Sequence, residues 1–198
     1  ILEMIAQNDW ERPIYFAVTV GSEMHLGLTR HFQLEGLSYR LVPYKESSSQ
    51  GVVSTRHMYH NMMNLFKFGG IDNPSIYLDE NSERMCRAHR QMFSELINAL
   101  IAEGKKEEAI NALDYCLKVI PHRNVPHNFS STDFVEQYYK VGEKEKGRAL
   151  ANILIEESEA KLMWISTLDR NQVKGASDEI GRSLIIFQQI GVTANAHL

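Results

Sequence analysis

Hydrophobic positions change their period near residue 79. Upstream they come in short runs; downstream they recur every three or four residues. Pro13 to Val20 (PIYFAVTV) carries Ile14, Phe16, Val18 and Val20 on one face and Tyr15, Ala17 and Thr19 on the other. That pattern predicts a strand covered on both sides, ended by Gly21. Leu37 to Tyr44 (LSYRLVPY) predicts a second strand, with Pro43 marking an edge position or a strand terminus. Ile1 to Gln7 predicts a short helix, and Lys45 to Gly51 (KESSSQG) a polar, Ser-rich loop. Ser54 is placed to cap a helix through Met58, Met62, Leu65 and Phe66, which Gly69-Gly70 stops.

Beyond Leu78 the pattern is helical. Asp79 predicts the N-cap of a helix reaching about Glu103, with Gly104 just past its end. A second helix runs from about Lys106 to Ile120, where Pro121 terminates it. Ser130 with Asp133 reads as a capping box for a helix ending at Gly142. A long helix follows from Glu143 to about Leu168. Ser177, Asp178 and Glu179 open the last one, expected to end before Gly191. Phe93, Leu96, Leu100, Gly104, Ala109, Leu113, Cys116 and Pro121 fall at the offsets of a tetratricopeptide helical hairpin. Phe134, Tyr138 and Gly142 repeat the positions of Leu96, Leu100 and Gly104, and Gly147 and Ala151 those of Ala109 and Leu113. The predicted fold is mainly α: a small α+β segment, 1–78, packed on a tetratricopeptide-like helical region, 79–198. Two strands alone are marginal, so the two parts are expected to share a core.

Composition narrows the function classes. The chain has 198 residues, 43% of them hydrophobic and 23% charged, an ordinary globular mixture. A net charge of −4 argues against a general nucleic-acid or anionic-membrane binder. No apolar run approaches the roughly 18 residues that span a bilayer. Opening on Ile1, the chain is expected to be a piece of a longer protein. Cys86 and Cys116 lie among apolar helical neighbours and read as two buried small hydrophobes.

Few residues carry candidate chemistry. Trp10, Glu11 and Arg12 precede the first strand, and Tyr39 and Arg40 lie on the second. If the strands pair, an aromatic patch with Arg and Glu could stack on and hydrogen-bond a sugar or a peptide. The bland alternative is a structural salt bridge with Trp10 as a core anchor. Tyr138 and Tyr139 could line the inner groove of the helical array. His57 and His60 share a helix face but lack a third ligand, and Asp79-Glu80-Asn81 falls short of a calcium loop. No nucleophile elbow, phosphate loop or dinucleotide fingerprint is present, so no catalytic residue, metal or cofactor is assigned.

Four strings, NDWERPIYFAVTV (Asn8 to Val20), FQLEGLSYRLVPYK (Phe32 to Lys45), MYHNMMNLFKFGG (Met58 to Gly70) and NPSIYLDENSERM (Asn73 to Met85), resemble one block. It is the soluble C-terminal region of large bacterial membrane proteins similar to protein O-mannosyltransferase-type glycosyltransferases. The resemblance implies an extracytoplasmic, periplasmic position, with sugar-transfer chemistry in a membrane-spanning half that this chain lacks. The functional expectation is a non-catalytic accessory domain that binds or presents an acceptor protein or glycan. The alternative is a helical-repeat scaffold for a protein partner, with no substrate role.

Overall fold

A sheet of four short strands organises the first part of the computed structural model, which describes residues 2–49 and 51–197. The strands are β1 (Tyr15–Ala17), β2 (Phe32–Leu34), β3 (Ser38–Leu41) and β4 (Val52–Val53), in the order β1-β3-β2-β4. β3 pairs antiparallel with both β1 and β2, and β4 joins β2 in parallel. A short helix, α1 (Leu2–Asn8), precedes them. Of the segments predicted from sequence, Ile1 and Gln50 lie outside the described residues.

The two expected strands form and pair, but β1 is not covered on both faces. It is an edge strand in which only Phe16 is buried, and Tyr15 is 47% exposed. Phe16, Phe32 and Leu41 build a one-sided core with Ile5, Ile14, Leu28 and Tyr39 packed around it. β3 takes the centre, and Pro43 follows its end, where a missing N–H does no harm. Gly36 turns the chain from β2 to β3 at φ +137°, a conformation closed to L side chains. A Cβ there would also lie 2.8 Å from the Phe66 ring.

Helix α2 (Thr55–His60) runs into a wider turn over Asn61–Leu65, closed by the Phe66 amide donating to the Asn61 carbonyl five residues back. The extra residue shifts the phase of the helix. Met58 and Met62 therefore stay fully buried, while Leu65, expected on the same stripe, is 57% exposed. Ser54 opens the helix but makes no cap to a backbone amide; its hydroxyl meets His57 Nδ1 at 2.9 Å.

The chain divides into two compact units, residues 1–69 and 70–198. The second unit is helical: α3 (Glu80–Ala102), α4 (Lys106–Val119), α5 (Thr132–Val141), α6 (Lys144–Ser166), α7 (Arg170–Gly175) and α8 (Ser177–His197). Asp79 caps α3, its side chain accepting from the Ser82 amide at 2.7 Å. Phe93, Leu96, Leu100, Ala109, Leu113 and Cys116 are fully buried, and the small residues on α4 let it approach α3 closely. Gly104 and Gly142, both left-handed, end their helices where expected.

Three details of this half differ from the sequence reading. Ahead of α5 the short turn Phe129–Ser131 is capped at Asn128, whose backbone amide donates to Ser131 Oγ, and Ser130 Oγ donates to Asn128 Oδ1 at 2.7 Å. The short α7 is additional, capped by Asp169 with Gln172 in a reciprocal box. α8 runs straight through Gly191 to His197, because buried Ile190 and Thr193 on either side outweigh the roughly 1 kcal/mol cost of an internal glycine.

Candidate functional site

The outer face of the sheet gathers polar groups around one carboxylate. The pairing register places Tyr15, Arg40, Gln33 and Val52 in a row across the four strands. Glu35, two residues beyond Gln33, shares that face, yet its side chain is only 7% exposed. Tyr15 donates its hydroxyl to Glu35 Oε2 at 3.0 Å. Arg40 Nη1 lies 3.5 Å and His57 Nδ1 3.9 Å from Oε1, and Oε1 has no hydrogen-bond partner. Asn61 Nδ2 donates to the Glu35 carbonyl at 2.8 Å, tying α2 to the same spot. Burial, then the Glu35 bond and charge, push the Tyr15 phenol up from its ordinary value, with Arg40 pulling the other way. The arrangement is a polar clamp. A buried carboxylate brings an exposed tyrosine and an arginine into one patch.

The sequence-predicted patch splits. Tyr39 and Arg40 are neighbours on a strand and face opposite sides. Tyr39 stacks on Phe32 inside the core, with ring centroids 5.3 Å apart and planes at 18°. Arg40 stays outside on Glu35. Trp10, Glu11 and Arg12 occupy the turn after α1, with Asp9 and Trp10 both left-handed at φ +44° and +62°. Asn8 closes that turn by donating Nδ2 to the Arg12 carbonyl at 2.7 Å. Trp10 is 44% exposed and so is no core anchor. Glu35 was missed because one acid between Leu34 and Gly36 carries no sequence signal until the register is known. A further buried polar ring, His25, stands edge-on to Phe32 at 5.0 Å and Phe16 at 6.0 Å, with neither nitrogen hydrogen-bonded.

In the helical unit Tyr138 and Tyr139 also part company. Tyr138 is buried and donates to Asp114 Oδ1 at 2.9 Å, while Lys146 Nζ holds Asp114 Oδ2 at 2.7 Å. Burial and then Asp114 raise its phenol well above the usual range. Tyr139 stacks on His197 at 5.4 Å and leans on Gly147, where a Cβ would sit 3.1 Å from the ring.

A second polar centre forms where the 121–129 loop meets α3. Arg90, buried on α3, donates to the carbonyls of Ile120, Val125 and Pro126 and thereby fixes the loop. Desolvation lowers it to about 10, so it remains charged at neutral pH. His122 Nδ1 accepts the His127 amide at 3.0 Å, which makes Nε2 the protonated nitrogen that donates to Glu157 at 2.9 Å. The two imidazoles stack at 4.7 Å. Burial, with Arg90 and His122 nearby, lowers His127 to about 3, so it is neutral. Beside it lies a cleft of about 450 Å³ between the loop, α6 and α8, lined by Asn128, Phe129, Glu157, Lys161 and Arg182 among others. Both cysteines are free and buried, and burial pushes the Cys116 thiol up to about 12. His57 turns toward Ser54 and Glu35, and His60 toward Asn64.

The chain is mainly helical with a small sheet. One family model matches, TMEM260-associated domain 2, over residues 1–61. The family is linked to TMEM260, which is protein O-mannosyltransferase-like. The match takes in the strings Asn8 to Val20 and Phe32 to Lys45 and the first residues of Met58 to Gly70, and stops short of Asn73 to Met85. No curated protein and no solved structure matches the chain. Among the described residues, no helix is long and apolar enough to cross a membrane.

Proposed function

We propose that this chain is a non-catalytic, extracytoplasmic accessory region of a membrane glycosyltransferase-like protein, binding or presenting the acceptor, a protein or a glycan. The observation that carries the reading is the TMEM260-associated domain at residues 1–61. The geometry supports it in a second way. The strongly perturbed groups, Arg90, His127, Tyr138 and Cys116, are each engaged in holding a loop or a seam, while the exposed Tyr15 and Arg182 and the half-buried Arg40 and Tyr139 are the kind of groups that contact a ligand. Stacked helical hairpins of the tetratricopeptide kind supply such surfaces more often than active sites.

The test is a membrane protein that carries this chain, assayed for transfer to its acceptor with Arg40→Ala, Tyr139→Ala and Arg182→Ala singly and together. Lower acceptor affinity with the transfer step intact supports the reading; unchanged affinity and rate in the triple variant overturns it. A helical scaffold for a protein partner is the second reading. Met163 and Trp164, 72% and 61% exposed at the end of α6, favour it. Co-purification of a stable partner that is lost in Trp164→Ala, with no acceptor affinity, selects it.

A further inference from the structure

The cleft between the 126–129 loop, α6 and α8 lies outside both the predicted patch and the family match. We propose that it binds a neutral glycan. The inference rests on the accessory reading and deepens it, naming both the surface and the ligand class.

Three observations lead there. The first is size: at about 450 Å³ the cleft falls within the roughly 300–1,000 Å³ typical of small-ligand pockets. The second is charge. The cations around it, Arg87, Lys161 and Arg182, are paired with two carboxylates, and a third carboxylate in the wall is paired with a histidine. Glu83 holds Arg87, and Glu179 takes Lys161 at 2.8 Å and Arg182 at 3.0 Å. Glu157 holds His122 at 2.9 Å. With its charges already paired, the cleft presents no uncompensated charge to a ligand, and hydroxyls can add to both partners of a pair without disturbing it.

The third observation is the wall chemistry. Ser158 and Ser183 line the cleft, and each donates its hydroxyl back to its own helix, to the Leu154 carbonyl at 2.7 Å and the Glu179 carbonyl at 2.9 Å. Their oxygens are left as acceptors for an incoming hydroxyl. Leu154 and Ile186 supply apolar surface beside them, and Phe129, 42% exposed, offers a ring face. A pyranose presents the same alternation, with C–H faces that stack on a ring and hydroxyls that hydrogen-bond in plane. Arg90 holds the loop that carries Phe129 and Asn128, so the wall is in place before the ligand arrives.

Titration of the 198-residue chain with a neutral hexose disaccharide, cellobiose or maltose, tests this by calorimetry and saturation-transfer NMR. The expected result is saturable binding that weakens at least about tenfold in Phe129→Ala and in Arg182→Gln and is unchanged in Tyr77→Ala, an exposed residue outside the cleft lining. Phe129 and Arg182 are surface residues, and circular dichroism confirms that the variants stay folded. Absence of saturable binding to either sugar overturns the proposal, as does binding that ignores both variants. Binding of an acidic or basic peptide in place of the sugar overturns the glycan assignment while leaving the accessory reading standing. That reading fails separately, through the transfer assay.

Discussion

In the helical unit Phe93, Leu96, Ile97, Leu100 and Leu113 are fully buried between long helices, and two buried polar side chains bond across segments. Gln137 donates to the Ser94 carbonyl and hydroxyl, and Arg90 spans three loop carbonyls. In the first unit the strands are two to four residues long, the core is a cluster of aromatic rings, and a buried carboxylate ties the sheet to a helix. Local periodicity suffices to build the first arrangement. The second depends on pairings between distant residues and on electrostatics, so its register carries more of the specification.

Truncation separates the two most strongly. Phe93→Ala is expected to cost about 3–5 kcal/mol in urea unfolding, because packed helices on every side cannot close the cavity. Phe16→Ala should fall at the low end, about 3 kcal/mol, since its strand is an edge. Equal losses would break the comparison. Next comes Arg90→Met, expected to cost about 2–4 kcal/mol by leaving three loop carbonyls unsatisfied. A neutral effect would mean that the guanidinium does not hold the loop.

His127 gives a smaller, pH-dependent effect confined to the helical unit. Its native pKa is lowered to about 3 by burial, Arg90 and His122, so the unfolded chain binds the proton more tightly than the folded one. Its contribution is intact above about pH 6.5 and is lost as pH falls toward 3, roughly 2 kcal/mol by about pH 5. His127→Gln should flatten the stability profile between pH 6.5 and 5, measured by chemical denaturation at stepped pH. An unchanged slope would contradict the buried neutral imidazole. The smallest effect is Glu35→Gln, about 1–2 kcal/mol, since the amide still accepts from Tyr15 but no longer attracts Arg40. The loss should shrink in high salt, as a charge effect does.

Much of the helical unit was legible because its signals are local. Asp79, Gly104, Pro121 and Gly142 mark helix ends wherever the rest of the chain lies, and the seam residues recur at fixed spacing. α7 carried a readable box, Asp169 with Gln172, hidden by the long pattern before it. The sheet was half visible. β1 and β3 stand out by composition, but Phe32–Leu34 and Val52–Val53 are too short to show a period and exist only by pairing. The candidate sites were least legible. Neighbours in sequence such as Tyr39 and Arg40 separate onto two faces. The groups that meet, Tyr15 with Glu35 or Arg87 with Arg182 around the cleft, come from distant segments.

We infer from the family match at residues 1–61 that this chain works as part of a larger membrane protein. An antibody raised against it, used to probe fractionated cells that express it, tests that claim most directly. The account predicts a band far larger than 22.7 kDa in the membrane fraction. A soluble band near that mass would contradict it.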